Sequence, residues 1–339
     1  MAPQKVTIKD VAREAGVSIS TVSNALNGVD VLRSETKQHI LEVAERLNYV
    51  PNLNGRNLKS QYTKVIGLFL TSIRGTYYNI LADAVYQECK KHGYELNIFV
   101  SERADNMMAN ILGKRMDGAI ILNKDIGEKE TILFQKTQTP IIFLDRELQG
   151  ERMASVVFDS YHEGEMVAQY LFSLGHHTFA YINGNDDNYD NIKRLQGFQS
   201  GLMQAGIRLD EQYIIEGGFE KEIAYDSMRQ FLQLGKPLPE AIFAANDLSA
   251  IGIMEALADS GIQVPKQVNV VGCDDIEISN FVKPSLTTMR TSFEKQGTLA
   301  VRHLIALITG DEKGSIDVLQ GKIIPRESTC VRRLRNYRS

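Results

Sequence analysis

The sequence predicts a small helical module followed by a larger α/β region built on parallel sheets. Apolar residues recur at helical spacing over residues 7–48. From Val65 onward, short continuous apolar runs alternate with helix-length stretches, which is typical of strands buried on both faces and covered by helices. The charge divides at the same boundary, since residues 1–64 carry a formal charge of +3 and the remaining residues carry −7.

Length and composition are those of an ordinary globular chain of two or three domains, with 339 residues, 43% hydrophobic and 24% charged. The net charge of −4 argues against a histone-like protein. No apolar run reaches membrane-spanning length and the N-terminus lacks a signal-peptide core, so we expect a cytoplasmic protein without membrane contact. Cys89, Cys273 and Cys330 form no Cys-x-x-Cys pair, and we expect no metal site and no cofactor.

Residues 7–48 divide into three predicted helices. The first follows the N-cap Thr7 and stops at Gly16, and its inward stripe consists of Ile8, Val11, Ala12 and Ala15. Ser18 caps the second, whose inward residues are Val22, Ala25 and Leu26. Ser34 caps the third, whose inward residues are Ile40, Leu41, Ala44 and Leu47. The short turn between the first two predicts a helix-turn-helix.

The second helix presents short polar side chains and one apolar side chain on its outward face. These residues are Ile19, Ser20, Ser23, Asn24 and Asn27, with Thr21 at the edge. Asn binds an adenine edge, hydroxyls bind bases or phosphates, and a branched apolar side chain contacts a thymine methyl. The alternative is ordinary solvation of a small packing domain. The tight turn, the basic surplus and the position ahead of a linker favour DNA binding.

Residues 51–64 predict a linker or a marginal helix that contains Gly55 and basic residues such as Arg56. Leu58 is one of only two large apolar side chains in this segment. Two interpretations remain open for it. Either Leu58 contacts the next domain, or it enters a minor groove as an apolar wedge on a helix that folds on DNA.

The body predicts two similar lobes, with about five strand–helix units on each side of residue 160 and a return segment near 286–303. The predicted strands are VIGLFL, YELNIFV, GAIILN, PIIFLD and ASVVFD, then TFAYING, QYIIEG, EAIFAAND and VNVVGCDD. The predicted helices are 77–92, 161–174, 191–205, 222–234 and 248–260.

Polar side chains follow several of these strands. Asp145, Asn246 and Asp274 come at strand ends, and Tyr77 and Tyr78 follow the first strand. Ligands of open parallel sheets bind beyond the carboxyl ends of the strands, so these groups should border a cleft for a hydroxyl-rich ligand, with a tyrosine as stacking face. The alternative is that each acidic or amide side chain only caps the following helix.

The sequence does not predict an enzyme. It has no Gly-x-Gly-x-x-Gly after a strand, no Walker lysine, no Gly-x-Ser-x-Gly elbow and no His-Glu-x-x-His. A carboxylate pair such as Asp274 and Asp275 also occurs in sugar sites without catalysis.

A series of segments spanning about residues 7–326 resembles the LacI/GalR (lac repressor) family of bacterial regulators. The segments are TIKDVAREAGVSISTVSNALNG, LNYVPNLNGRNLKS, VIGLFLTS, RMDGAIIL, IIFLDR, RLQGFQSGL, FAANDLSAIGIMEAL and VVGCDD with PSLTTM. The resemblance implies a DNA-binding headpiece over 1–50, a hinge helix or linker over 51–63, and an effector-binding and dimerisation core over 64–339. That core would resemble periplasmic sugar-binding proteins, with one lobe of about 64–160 and 293–324 and another of about 161–292 and 325–339.

In the headpiece, the resemblance implies that Ile19, Ser20 and Asn24 read bases. The implied phosphate-facing residues are Ser18, Thr21, Ser23 and Asn27. Leu58, with Arg56, would contact the minor groove. Two departures matter: Asn24 replaces the Arg of many members, and Gly55, where Ala is more usual, weakens a hinge helix by up to ~1 kcal/mol.

In the core, the resemblance implies an effector site whose polar members are Asp145, Arg194, Asn246 and Asp274. Its aromatic members would be Tyr77, Phe219 and Phe293, beside the Tyr78 suggested above. Arg194 would grip a carboxylate or a vicinal diol, so both acidic and neutral sugars fit this expectation.

The predicted function is therefore a homodimeric repressor on a near-palindromic operator, controlled by a sugar, sugar acid or sugar phosphate. Whether that effector induces or corepresses stays open. The alternative is a global carbon-catabolite-type regulator controlled by a phosphoprotein co-repressor. A transporter's solute receptor is a more distant rival, because it would require export.

Overall fold

The computed structural model describes residues 6–26, 31–50, 62–113 and 115–332. The chain divides into two units, residues 1–63 and 64–339. Asn27, Arg56 and Leu58 lie outside the described residues, so their implied contacts with DNA stay predictions.

The first unit contains the three predicted helices, α1 (Ile8–Glu14), α2 (Ile19–Leu26) and α3 (Ser34–Arg46). They pack around Val11, Val22 and Ile40, one from each helix, and all three side chains are fully buried. The predicted inward stripes of α1 and α2 are confirmed, since every member is buried or packed against this core.

Helix α1 begins and ends as the sequence predicts. Both the backbone N–H and the hydroxyl of Thr7 donate to the Asp10 carboxylate, at 3.0 and 2.7 Å. Gly16 has a φ of +66°, and beyond it the Val17 N–H donates to the Ala12 carbonyl at 3.0 Å. This Schellman-type ending reverses the chain within the short turn to α2.

Two predictions for α3 are wrong. Leu41 is 41% exposed, and Val43 is buried instead. Ile40, Val43, Ala44 and Leu47 follow an i, i+3, i+4, i+7 spacing, which leaves Leu41 beyond the edge of the stripe. Ser34 is the first helical residue, and the preceding Arg33 provides no side-chain cap.

The second unit contains two six-stranded sheets. Its helices are α4 (Thr76–Lys91), α5 (Ala104–Leu112), α6 (Glu128–Thr137), α7 (Ser160–Ser173), α8 (Tyr189–Gln204), α9 (Lys221–Gln233), α10 (Asp247–Asp259) and α11 (Phe293–Thr309). Its strands are β1 (Val65–Leu70), β2 (Glu95–Val100), β3 (Gly118–Leu122), β4 (Ile141–Phe143), β5 (Met153–Phe158), β6 (Phe179–Asn183), β7 (Ile214–Glu216), β8 (Ala241–Ala244), β9 (Asn269–Asp274), β10 (Thr287–Arg290), β11 (Ile316–Leu319) and β12 (Lys322–Ile324).

The predicted parallel sheets are confirmed. The first sheet has the order β11-β5-β4-β3-β1-β2, with all neighbours parallel. The second has the order β12-β10-β9-β8-β6-β7, and only β12 is antiparallel to its neighbour. We call the parts built on these sheets the first and second lobes.

The chain crosses between the lobes after β5, after β10 and between β11 and β12. The last crossing comes a few residues before the boundary expected near residue 324, because β12 pairs with β10 of the second lobe. At the crossings, Gln320 Nε2 donates to the Asp159 carboxylate at 2.8 Å, so two of the crossing segments are hydrogen-bonded to each other.

Each sheet lies between two layers of helices, as its continuous apolar strands predict. In the first lobe, α4 and α11 cover one face, and α5 and α6 cover the other. In the second lobe, α9 and α10 lie opposite α7 and α8. The exception is β2, an edge strand whose Ile98 and Val100 are about half exposed, at 46% and 49%.

Among residues 6–26, 31–50, 62–113 and 115–332, no helix is long and apolar enough to cross a membrane. The same residues form no group of three or more His, Cys, Asp or Glu side chains placed to hold a metal ion. Cys89 and Cys273 are buried and Cys330 is exposed, all as free thiols.

A buried carboxylate joins α4 to α11 in the first lobe. Glu88 is 2% exposed, and its two oxygens accept from Lys91 Nζ at 2.8 Å and Arg302 Nε at 2.7 Å. These hydrogen bonds lower the pKa of Glu88 to about 2, and the bond from Lys91 has the larger effect. Because the pKa is lowered in the folded state, the ionised carboxylate stabilises the fold above its ordinary pKa, and this stabilisation is lost as pH falls towards 2.

We expect Glu88→Gln to destabilise the second unit by about 1–2 kcal/mol at pH 7. A neutral amide would replace the carboxylate, so two charge-assisted hydrogen bonds would be lost, while their cationic partners Lys91 and Arg302 would stay solvated. Thermal unfolding measured from pH 7 to pH 3 should show the difference from the wild type shrinking below about pH 4.5. Glu294→Gln, an exposed change on α11, is the matched control and should have little effect. An undiminished difference at pH 3 would contradict the ionic origin.

Candidate functional site

The outward face of α2 brings the sequence-predicted DNA-contacting residues onto one surface. Ile19 is 45% exposed although it is apolar, Ser20 is exposed, and Asn24 is half-buried one turn further on. Val22 and Ala25 face the core from the opposite side. The helix therefore presents one apolar side chain beside an amide and hydroxyls.

Ser18 acts as the cap of α2. Its Oγ accepts from the Thr21 N–H at 3.2 Å and lies 2.7 Å from both the Ser20 and Thr21 hydroxyls. The cluster thus satisfies one backbone N–H of the first turn, that of Thr21. Ser18 and Ser20 are both exposed, and the phosphate contact implied for Ser18 stays a prediction.

A second candidate site lies at the carboxyl ends of the strands in the two lobes. Asp145 follows β4, and the short loop after β1 leads to Tyr77 in the first turn of α4. In the second lobe, Asn246 precedes α10 and Asp274 ends β9. Phe293 begins α11, where the chain has just returned to the first lobe.

Aromatic rings cluster on the first-lobe side, where Phe158 and Phe293 are buried and Tyr77 and Tyr78 pack against them half-buried. The Tyr77 ring centroid lies 4.6 Å from that of Phe293 and 5.6 Å from that of Tyr78, and Phe158 lies 5.8 Å from Phe293. The Tyr77 hydroxyl donates to Gln296 Oε1 at 2.8 Å, which fixes the ring. Such a cluster offers an apolar face to a sugar ring.

The pKa of the Tyr77 hydroxyl responds to several neighbouring ionisable groups. Burial raises the pKa of the Tyr77 hydroxyl, and the nearby Asp190, Tyr78, Asp145 and Asp274 raise it further. Asp145 belongs to the first lobe, whereas Asp190 and Asp274 belong to the second. Carboxylates of both lobes therefore act on the Tyr77 hydroxyl.

Arg194 is buried beneath the second-lobe side of the cleft, with 4% of it exposed. Its NH1 donates to the Ala245 carbonyl at 3.0 Å, and its NH2 lies 3.5 Å from Ser160 Oγ and 3.4 Å from Glu163 Oε2. Among the described residues, its Nε has no hydrogen-bond partner. The guanidinium is therefore held mainly by protein acceptors.

Two acidic side chains surround Arg194. Burial raises the pKa of Glu163 to about 7, against the opposing effect of the Arg194 charge. Burial likewise raises the pKa of Asp190, which accepts from Ser160 Oγ at 2.8 Å. Among the described residues, the Oε1 atom of Glu163 is buried without a partner.

Asp274 and Asp275, the carboxylate pair at the end of β9, make different contacts. Asp275 is bound by Arg290 and Arg326. Asp274 has a φ of +119°, and within 64–113 and 115–332 its half-buried carboxylate forms no hydrogen bond. Burial raises the pKa of Asp274, and nearby Asp247 adds to the effect. Asp275 thus fixes the strained turn that presents Asp274 to the cleft.

Asn246 caps the following helix, which is one of the two interpretations that the sequence left open. Its Oδ1 accepts from the Ser249 N–H at 2.9 Å and caps α10, while its Nδ2 donates to the Phe219 carbonyl at 3.0 Å. Phe219 has a φ of +63°, and its ring packs against Gly184. The Asn246 amide therefore fixes the loop that carries Phe219.

Asp145 is held by its neighbour. Arg146 donates from Nε and NH2 to the two Asp145 oxygens at 2.8 and 3.0 Å, and NH2 also donates to the Asn123 carbonyl at 2.8 Å. The Arg146 guanidinium further donates to the Ile126 carbonyl. These hydrogen bonds orient Asp145, and all of the Arg146 partners named here belong to the first lobe.

Sequence reasoning missed Phe158, Ser160, Glu163, Asp190 and Gln296. Asp190 and Arg194 are one helical turn apart at the start of α8, which is a readable signal for a paired site beyond a strand end. Glu163 and Gln296 lie inside amphipathic helices, where a buried polar residue has no distinguishing pattern in one sequence.

Close approach of α7 and α8 holds Ser160, Glu163 and Arg194 together. A Cβ on Gly197 would lie 1.8 Å from the Tyr161 carbonyl oxygen, and one on Gly164 would lie 2.2 Å from the Arg194 carbonyl oxygen. Only glycine allows the backbones to come this close.

The chain is similar to known proteins over both of its units. Residues 7–52 match bacterial regulatory proteins of the lacI family, and residues 168–329 match the periplasmic binding protein-like domain. A probable HTH-type transcriptional repressor ExuR of Bacillus subtilis (strain 168) is 32% identical over 333 residues, which cover 97% of this chain and 99% of that protein.

Two solved structures are also similar over 96% of this chain and 100% of theirs. The lac repressor dimer bound to operator and the anti-inducer ONPF has a TM-score of 0.80 at 27% identity. The complex of the transcriptional regulator CelR with cellobiose has a TM-score of 0.72 at 26% identity.

We expect Gly197→Ala to destabilise the second lobe by about 2 kcal/mol or more, because the added methyl group forces α7 and α8 apart. Thermal unfolding would measure the loss, and Gln196→Ala, an exposed change on the same helix, is the control. Equal melting temperatures for the two variants would refute the packing argument.

Proposed function

Because the chain belongs to the lacI family of bacterial regulatory proteins, we propose that it is a dimeric repressor controlled by a small hydroxyl-rich molecule bound between its lobes. The family is one of DNA-binding transcriptional regulators and not of enzymes. The observation that carries the proposal is the outward face of α2, where Ile19, Ser20 and Asn24 stand together beyond a capped turn.

DNA recognition follows from that face. The helix is short and polar on one side, which suits the N-terminal part of a recognition helix in a major groove. We propose that Ile19, Ser20 and Asn24 read bases, and that Thr21 and Ser23 face phosphates. Asn27, Arg56 and Leu58 would complete the contacts. A cytoplasmic location follows if the operator is chromosomal DNA.

Effector binding is supported by the cleft. Stacked aromatic rings around Tyr77 lie beside hydrogen-bonding groups that include Asp274 and Asn246, a combination that recognises sugars. Relatives of the same fold are known with cellobiose and with ONPF bound. We propose that Phe219, Phe293, Tyr78, Asp145 and Arg194 shape or support this site.

The coupling to DNA is proposed to run through lobe closure. At the cleft, Lys124 of the first lobe pairs with Asp187 of the second, and the Tyr189 hydroxyl donates to Glu147 across the same gap. A ligand that binds better to one degree of closure shifts the population of that state. We propose that residues 51–63 respond to this shift.

Dimerisation is supported by exposed apolar side chains in both lobes. Ile98 and Val100 lie on the edge strand β2, and Ile278 and Phe281 of the second lobe are 50% and 70% exposed. A dimer interface would cover exposed apolar side chains such as these. The related lac repressor is a dimer on its operator, and a two-fold dimer requires a near-palindromic site.

We expect Asn24→Ala to weaken binding to an operator selected from random duplexes by about 1–3 kcal/mol, and to relax the preference at one position of each half-site. Fluorescence anisotropy across a salt series gives both numbers, and log K should fall linearly with log salt. Gln38→Ala, an exposed change on α3, is the control. Salt-independent binding, or equal losses on every sequence, would contradict the assignment.

We expect a sugar or sugar derivative to change operator affinity about 5–150-fold, the usual range of allosteric coupling. The same compound at 100 times its Kd should stabilise the protein by about 2.7 kcal/mol. Thermal-shift screening of the full chain followed by operator titration tests this. A compound that stabilises the protein without changing operator affinity would break the proposed coupling.

A further inference from the structure

We propose that Lys64 is a positioning residue, held in a left-handed backbone conformation, and that this conformation sets the half-site spacing at which the protein binds its operator. Lys64 is the first residue of the second unit and directly precedes β1. The inference rests on the proposed function, because it requires a dimer on a two-fold operator. It adds a residue of the core to the determinants of DNA recognition.

The backbone of Lys64 is strained. Its φ is +58°, which lies in the left-handed region that few residues other than glycine and asparagine adopt readily. A residue stays in such a conformation only where the surrounding structure holds it there. The contacts of Lys64 must therefore offset the strain.

Contacts to the backbone and to the side chain hold Lys64 in place. Its N–H donates to Asp117 Oδ2 at 2.9 Å, and its carbonyl accepts from the Glu95 N–H at 2.8 Å. Its Nζ lies 4.4 Å from the ring centroid of Tyr94, whose buried side chain belongs to the first-lobe core. We call this arrangement of Lys64, Tyr94, Glu95 and Asp117 the Lys64 clamp.

The clamp joins the starts of three adjacent strands. Glu95 is the first residue of β2 and lies opposite Val65, the first residue of β1. Asp117 directly precedes β3, and its N–H donates to the Val65 carbonyl at 2.9 Å. The order β3-β1-β2 in the sheet places these strands side by side. Lys64 is therefore tied to the sheet from both sides of β1.

This position suits the transmission of movement from the core. The clamp lies at the amino ends of the strands, whereas the cleft lies beyond their carboxyl ends, about 20 Å away along the six residues of β1. An unclamped residue would let the preceding chain turn independently of the sheet. The clamped residue instead gives the preceding chain one direction, which follows the orientation of the first lobe.

A fixed direction has a measurable consequence on a two-fold operator. The two protomers of a dimer bind two half-sites, and the spacing of those half-sites follows from the geometry of the protein. One direction of the chain at each core favours one spacing, whereas several directions accommodate several spacings. Spacing selectivity therefore reports on the clamp, and base preference within a half-site reports on α2.

The test uses two variants of Lys64 that differ in their tolerance of the left-handed conformation. Lys64→Asn and Lys64→Val both remove the ammonium group, but asparagine adopts a positive φ readily and a β-branched residue does not. The full-length protein is titrated by fluorescence anisotropy against an operator selected from random duplexes. The same operator with one base pair inserted or removed at its centre provides the altered spacings.

We expect the wild type and Lys64→Asn to bind the altered spacings about tenfold more weakly than the selected operator, and Lys64→Val to bind them less than about threefold more weakly. Base preference within each half-site should stay unchanged, because α2 is untouched. Equal spacing selectivity of Lys64→Asn and Lys64→Val overturns the proposal, since the left-handed conformation would then have no effect.

Asp117 provides an independent pair of variants. Asp117→Ala removes the acceptor of the Lys64 N–H and should relax spacing selectivity as Lys64→Val does. Asp117→Asn keeps an oxygen acceptor and should preserve that selectivity. Thermal unfolding establishes that each variant folds. Wild-type spacing selectivity in a folded Asp117→Ala variant would overturn the role of the clamp.

The outcomes separate this inference from the proposed function. If the wild type selects no operator from random duplexes, the proposed function fails and the inference fails with it. If the wild type selects an operator and binds every spacing equally well, DNA recognition stands and the role of Lys64 is wrong.

Discussion

A buried guanidinium organises the second lobe. Arg194 loses the water that would solvate its charge, so the fold must supply acceptors and opposing charge around it. The Ala245 carbonyl, Ser160 and Glu163 do so, and they come from the end of β8 and the start of α7. Their meeting requires α7 and α8 to touch at Gly164 and Gly197. The contact between α7 and α8, the buried charge of Arg194 and the floor of the cleft therefore depend on one another.

The aromatic cluster of the first lobe complements this floor. Tyr77 and Phe293 are joined by ring contact and by the hydrogen bond to Gln296, so they form a rigid apolar surface opposite the polar groups of the second lobe. Three chain crossings connect the lobes, and Lys124 of the first lobe pairs with Asp187 of the second. In the proposed function, the fit of the ligand sets the degree of lobe closure.

The sequence predicts the architecture well because periodicity and strand-end residues are local signals. Three helices with a tight turn, two parallel sheets and the positions of Asp145, Asn246 and Asp274 at strand ends can all be read from neighbouring residues. The hydrogen-bond and ion-pair partners of the side chains around these positions cannot be read in this way. Asp275 is bound by residues 15 and 51 positions away, and Arg194 by residues 31 to 51 positions away. Leu41 shows the same limit within one helix, since tertiary packing and not propensity decides which flank is buried.

The final crossing between the lobes makes the sheets interdependent. β11 completes an edge of the first sheet, and only a few residues later β12 completes an edge of the second. A premature stop codon between α11 and β11 would therefore remove one strand from each sheet. Neither lobe corresponds to a contiguous stretch of coding sequence, so neither can be expressed alone as one uninterrupted segment of this chain.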